Sequence, residues 1–269
     1  NAGDVLTATV STSEAVVVSG VPQLALNIGG TTVYADYDSA NSTSTSLKFN
    51  YTIQAGQTDA NGVSIDADSI GLNGGSITDL AGNNAVLTHG AVSDNSSYLV
   101  DTSAPTVSSV VLSGATGDQN SRLNAGDVLT ATVSTSEAVV VSGVPQLALN
   151  IGGTTVYADY DSANSTSTSL KFNYTIQAGQ TDANGVSIDA DSIGLNGGSI
   201  TDLAGNNAVL THGAVSDNSS YLVDTSAPTV SSVVLSGATG DQNSRLNAGD
   251  VLTATVSTSE AVVVSGVPQ

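Results

Sequence analysis

Residues 1–146 recur letter for letter as residues 124–269, an offset of 123 residues. Nothing else in the chain narrows its fold as much, because a stretch repeated without a substitution encodes one structural unit used in series. Two copies and the first 23 residues of a third are present. A period of 123 residues matches the commonest domain size, and 39% apolar residues suffice for one modest core per copy.

The stretch Val100-Asp101-Thr102-Ser103-Ala104-Pro105-Thr106-Val107, which returns at Val223 to Val230, marks the junction. Its proline biases Ala104 toward an extended conformation and cannot donate a ladder hydrogen bond. The segment therefore reads as a strand ending, a taut hinge and a new strand beginning. With the junction as boundary, residues 103–225 form one complete domain. Residues 1–102 form a domain lacking its first strand, and residues 226–269 the first third of another. The ends look like an arbitrary window on a longer fibre, and a segment as short as 226–269 is too small to hold a core by itself.

Strand signals fill each copy, and no stretch carries apolar residues at helical spacing over three turns. Val128 to Val133 alternates apolar and polar, as does Leu170 to Ile176. Leu147 to Ile151, the turn Gly152-Gly153 and Thr154 to Ala158 make the clearest hairpin. Gly114 to Asp127 and the Ser/Thr-rich Asp159 to Ser169 read as loops. Shorter strands are expected near Val107 to Leu112, Ala138 to Val141, Val186 to Ile188, Ile193 to Leu195, Ala208 to Thr211 and Tyr221 to Val223. Seven to nine short strands in about 120 residues predict an all-β fold: tandem immunoglobulin-like antiparallel β-sandwich domains. First and last strands running the same way would join such domains pole to pole, as a rod.

Charge restricts what the units can meet. Twenty-four carboxylates face four lysines and arginines, a net charge of −20. Between Ser103 and Thr225 the balance is eleven acidic to two basic side chains, or −9. Such a surface repels nucleic acid and anionic membranes unless a cation neutralises it. A bound cation is the economical partner, and a merely solubilising acidic surface the alternative. The chain has no cysteine, so disulfides contribute nothing, and no apolar run is long enough to insert in a bilayer. No charged-then-apolar leader is visible at Asn1.

Five motifs in order, Asn124-Ala125-Gly126-Asp127, Ser136-Glu137, Gly143-Val144-Pro145, Asp202-x-x-Gly205-Asn206 and Val223-Asp224-x-x-Ala227-Pro228, together with Phe172 to Tyr174, resemble a known family. They are similar to the immunoglobulin-like extender repeats of giant bacterial surface adhesins, the RTX type exported by type I secretion. The likeness spans the whole repeat. It implies a calcium-rigidified, extracellular stalk of near-identical domains at the bacterial cell surface. Such a stalk projects an adhesive tip for attachment or biofilm formation; the target is bound by other parts of the protein. It implies no enzyme.

Sandwich topology also sorts the carboxylates by pole. The first strand leaves the entry pole and the second returns, which places Glu137 beside the junction that carries Asp101. The turn holding Asp79 and Asn83 is expected at the exit pole of the first copy, facing the same junction. Asp79, Asp101 and Glu137 are thus expected to converge, repeated as Asp202 with Asn206, Asp224 and Glu260; Glu14 is the first copy's counterpart of Glu137. Three anions together suit a hard cation that takes six to eight oxygens, and Ca2+ is expected there, bridging one domain, the linker and the next.

A second candidate is the acidic loop Asp59, Asn61, Asp66 and Asp68, copied as Asp182, Asn184, Asp189 and Asp191. Its alternating oxygen ligands beside a glycine suggest an intradomain calcium loop, although the closing glutamate of an EF-hand is missing. Asp118 and Asp127 are placed at the exit pole as further ligands, while Asp36 and Asp38 fall on a solvated face. An aspartate at a strand end can equally cap a turn without metal. His89 and His212 read as strand-end surface residues, and the glycine pairs lie between strands, where no phosphate loop forms. The sequence therefore predicts a structural extender whose partners are its neighbouring identical repeats. A multivalent module with a weak carbohydrate or partner site on each repeat is the alternative.

Overall fold

The structure is a computed structural model that describes residues 1–266; residues 267–269, the end of the third segment, lie outside the described residues. Every regular element among the described residues is a strand, and no helix occurs. The first copy contains β1 (Val5–Ser11), β2 (Val16–Ser19), β3 (Gln23–Ile28), β4 (Thr31–Tyr37), β5 (Ser46–Thr52), β6 (Thr58–Asp59), β7 (Ile70–Gly71), β8 (Ser76–Asp79) and β9 (Val100–Asp101). The second contains β10 (Val107–Thr116), β11 (Arg122–Leu123), β12 (Val128–Thr135), β13 (Val140–Ser142), β14 (Gln146–Ile151) and β15 (Thr154–Thr166). It continues with β16 (Ser169–Thr175), β17 (Thr181–Asp182), β18 (Ile193–Gly194), β19 (Ser199–Thr201) and β20 (Leu222–Asp224). A last hairpin, β21 (Val230–Thr239) and β22 (Val251–Thr258), belongs to the third segment.

Alternation decides the layers. In β14, and in β16 as far as Phe172, every second side chain is buried, and Leu147, Leu149, Ile151, Leu170 and Phe172 meet under one face of the sheet β10-β12-β16-β15-β14-β18, with Tyr174 half-buried beside them. Small sheets β13-β19 and β11-β20-β17 supply Ile200, Leu123 and Val223 to the same core, and Val139, just before β13, joins them. Fully burying each such Leu, Ile or Phe contributes about 1.5–3 kcal/mol, so this core is what orders the copy. Phe172 anchors it, with the Tyr160 ring tilted against it at 5.9 Å. The arrangement is that of a β-sandwich. Residues 16–100 enclose a separate core around Phe49, Leu24 and Leu26 beneath the sheet β1-β5-β4-β3-β7.

Turn chemistry fixes the register of the main hairpin. Gly152 and Gly153 both have positive φ (56° and 83°), the conformation a two-residue hairpin needs to match strand twist. A Cβ on Gly152 would lie 2.1 Å from the carbonyl oxygen of Thr181, so only glycine fits there.

Several segments differ from the sequence reading. Within Gly114 to Asp127, read as a loop, β10 continues to Thr116 and Arg122–Leu123 forms β11, which pairs in parallel with β20. Asp159 to Thr166 is strand rather than loop: β15 continues past Asp159 and makes a bulged turn. There Asp161 accepts the backbone N–H of Ala163 and the side-chain amides of Asn164 and Asn173; Asp38 makes the same contacts in the first copy, where residues 38–42 stay outside any strand. Ser187 and Ile188 form only single bridges to Asn150 and Val215, too few for a named strand. Val209 likewise makes one parallel bridge, to Thr106.

The main sheets of the two copies, of five and six strands, differ at one edge. In the second copy β10 is the outermost strand and pairs with β12. In the first copy β1, identical in sequence to most of β12, is itself outermost.

Candidate metal centre

Asp101 closes β9, pairing with Thr58 of the first copy, and its Oδ1 accepts the N–H of Ser103 at 2.9 Å, which starts the linker. Thr102 then fastens the linker to the first copy, donating its hydroxyl to the Gln57 carbonyl at 2.9 Å and accepting the Gly56 N–H at 2.9 Å. Pro105 is buried against the second copy, and its carbonyl accepts the Val209 N–H at 2.8 Å. Thr106 completes the hand-over: its carbonyl accepts the Ser136 N–H at 2.8 Å, and its own N–H donates to the Ser136 hydroxyl at 2.9 Å. The linker is thus tied at both ends, by the Thr102 hydroxyl to the first copy and by the backbone of Pro105 and Thr106 to the second.

Those ties bring three carboxylates together. Oxygens of Asp101, Glu137 and Asp202 all lie within 4.8 Å of one another, the only such group of three among the described residues. Glu137 follows β12 and is held by the Thr135 hydroxyl, which donates to the Glu137 carbonyl at 2.7 Å. Asp202 is 4% exposed. Its Oδ1 accepts the Asn206 N–H at 2.8 Å and its Oδ2 the Asn206 side-chain amide at 2.7 Å. That amide also donates to the Asp101 main-chain carbonyl at 3.1 Å. Asn1 of the first copy sits close by, its amide nitrogen 3.2 Å from where a Cβ on Gly205 would stand.

The electrostatics are unbalanced. Two like charges at this separation repel by about 3–4 kcal/mol per pair at an effective dielectric constant near 20. The only ion pair among the described residues joins the Asn1 ammonium to Asp4, so no lysine or arginine neutralises the trio. Burial, then the charges of Asp101 and Asp202, push the Glu137 carboxyl above its ordinary range. Burial also pushes Asp202 upward, but the Asn206 side chain and the N–H groups of Asn206, Gly205 and Ala204 outweigh it and hold the carboxyl below its usual range. A hard divalent cation is the ligand this all-oxygen donor set fits.

The third member of the trio is Asp202, where the sequence reading placed Asp79. Pairing explains the difference. β2 and β8 are antiparallel with Val16 opposite Asp79, and β13 and β19 repeat this with Val140 opposite Thr201. The Asp-x-x-Gly-Asn turn therefore returns to the pole of its own copy's glutamate. Glu14, Asp79 and Asn83 accordingly line one groove of about 490 Å3 in the first copy. Asp79 is held below the usual carboxylate range by the side-chain amide and N–H of Asn83. Asp224, trailing the second copy, lines a polar pocket of about 370 Å3 with Asp127 and Arg122. Glu260 is held as Glu137 is, by the Thr258 hydroxyl at 2.6 Å.

The acidic loops are not gathered. Asp182 is buried and spends both oxygens on the backbone, accepting N–H groups of Gly152 at 2.8 Å, Asn184 at 3.1 Å and Gly185 at 2.9 Å. Asp59 does the same with Gly29, Asn61 and Gly62. Asp66, Asp189, Asn61 and Asn184 face solvent. Asp68 and Asp191 adopt positive φ and accept the N–H of His89 and His212 at 2.8 Å. Asp127 accepts the Asn124 N–H at 2.6 Å, and Asp118 is exposed.

No protein-family model matches the chain, and no curated protein does. Sequence reasoning did not find the bridge from Asn206 to the Asp101 carbonyl, although the four-residue spacing of Asp202 and Asn206 was visible. The contact depends on where the preceding linker lies, which no local pattern encodes.

Proposed function

We propose that the chain is part of the structural extender of a bacterial cell-surface adhesin, with immunoglobulin-like units in series and Ca2+ as structural cofactor. One observation carries the reading: a linker carboxylate, Asp101, meets two carboxylates of the following copy, Glu137 and Asp202, with no cationic side chain to balance them. An ion held there would attach the linker to the next unit and remove their relative motion. The two copies would then behave as one stiff element, part of a stalk carrying an adhesive tip whose target other parts of the protein bind.

The extracellular setting follows from the ion, since calcium is plentiful outside the cell and scarce within. The lack of cysteine and the net charge of −20 suit a long exported chain that stays soluble until it meets the cation. Binding to the folded junction alone stabilises it by about 2.7 kcal/mol at a free-ion concentration one hundred times Kd.

Calorimetry and small-angle scattering of the chain with calcium and with a chelator test the proposal. Calcium should raise the melting midpoint and increase the maximum dimension. Superimposable melts and scattering curves would exclude a calcium-stiffened extender.

A further inference from the structure

Away from the junction, the Tyr157 ring stands on the solvent side of the main sheet. Along β15 the residues Val156, Ala158 and Tyr160 turn toward the core of the second copy, and Tyr157 between them is 58% exposed. β15 lies between β14 and β16, so the ring occupies the middle of the outer face rather than an edge. Its directly opposed neighbour on β14 is Ala148, whose methyl group is too short to cover it. The first copy repeats the arrangement, with Tyr34 58% exposed opposite Ala25.

Polar groups on either side of the ring are held in place. Gln146 and Asp159 oppose each other across β14 and β15, and the Gln146 side-chain amide donates to Oδ1 of Asp159 at 2.8 Å. That bond orients both side chains and leaves Oδ2 of Asp159 and Oε1 of Gln146 to accept from a ligand. At the other diagonal, Asn150 takes the Gly153 N–H on its Oδ1 at 2.9 Å, which leaves its Nδ2 to donate. In the first copy Gln23 bonds Asp36 at 2.8 Å, and Asn27 takes the Gly30 N–H at 2.8 Å.

We propose that this face is a carbohydrate site, one per copy, for a neutral glycan whose hydroxyls are equatorial. Such a pyranose presents its axial C–H bonds as a flat apolar face that stacks on the Tyr157 ring. Its rim of hydroxyls donates to Asp159 and Gln146 and accepts from Asn150. Charge selects the neutral polymer. Asp159 and Asp161 lie on this face, and Lys171, opposite Asp161, donates to the Thr132 hydroxyl at 2.7 Å, so sulfated and uronic acid chains are repelled. A protein partner fits less well, because one ring among polar side chains lacks the apolar centre of a protein interface. Sites recurring in series turn a weak contact into avidity. The assignment concerns the outer face of the sheet and does not depend on an ion at Asp101.

Titration calorimetry of the full chain with cellohexaose, and native electrophoresis through gels containing hydroxyethylcellulose or heparin, test it. Heat should be released with cellohexaose, and the cellulose derivative but not heparin should retard the chain, with chelator present or absent. Tyr34→Ala with Tyr157→Ala should weaken cellohexaose binding about tenfold or more. The melting midpoint should hold, because both rings are exposed, and tryptophan at the two positions should restore binding. Absence of both heat and retardation overturns the proposal. So does binding that survives the double alanine variant, binding lost in chelator, or a preference for heparin.

Discussion

The side-chain amide of Asn206 donates to the main-chain carbonyl of Asp101, 3.1 Å away, across the junction between two copies of one sequence. Asn83, its counterpart in the first copy, donates only to Asp79. Asn206→Ala should cost about 1–2 kcal/mol by removing contacts to a buried carboxylate and a linker carbonyl. Asn83→Ala should cost less, its site being more exposed. Denaturant melts of the two variants check the order.

Asp202 rather than Asp79 completes the trio, so Asp202→Asn should weaken calcium binding at the Asp101 junction about tenfold or more, and Asp79→Asn should leave that junction unchanged. Glu137→Gln should act as Asp202→Asn does. Isothermal titration with calcium distinguishes them; an equal loss from Asp79→Asn would refute the placement.

Acid should act oppositely on the chain with and without metal. Glu137 has a folded-state pKa raised above its ordinary 4.5, so it takes up a proton more readily folded than unfolded. In chelator, its repulsion is fully felt at neutral pH and relieved as pH falls through the raised value, so stability should rise there. Asp79 and Asp202 are held below their ordinary 3.8, and the stability they contribute is lost at lower pH, as it falls through their depressed values. With calcium, the proton on Glu137 competes with the ion and stability should fall over the first window instead. Melting midpoints against pH in both conditions test the sign, and Glu137→Gln should flatten the first limb.

Asp182 uses both carboxylate oxygens on backbone N–H groups of two separate loops. Asp182→Ala leaves the buried Gly185 N–H and the half-buried N–H groups of Gly152 and Asn184 without their acceptor and should destabilise the second copy by about 2–3 kcal/mol, by the same amount with calcium or chelator. A calcium-dependent loss would return the acidic loop to the list of metal sites.

At the hairpin, Gly152→Ala drives a Cβ into the Thr181 carbonyl, whereas Gly153→Ala meets nothing within 4 Å. The second substitution should cost about 1–2 kcal/mol from its positive φ alone, and the first considerably more. Thermal melts rank them.

What could be read from the letters follows from what each pattern encodes. Leu147 to Ala158 was legible because alternation and a glycine pair specify both strands and the turn between them. The extension of β15 was not, since Asp159 to Thr166 carries no apolar period, and the identical stretch of the first copy leaves its strand at Tyr37. Asp101 and Glu137 could be brought to one pole from strand direction alone. Choosing between Asp79 and Asp202 could not be done by inspection, because the copies are identical and only the pairing of β13 with β19 says to which end the turn returns.

Each copy keeps its glutamate and its turn aspartate at one pole and sends its trailing aspartate to the other. The unit therefore has a sender and a receiver end, and a string of them has a sense of direction.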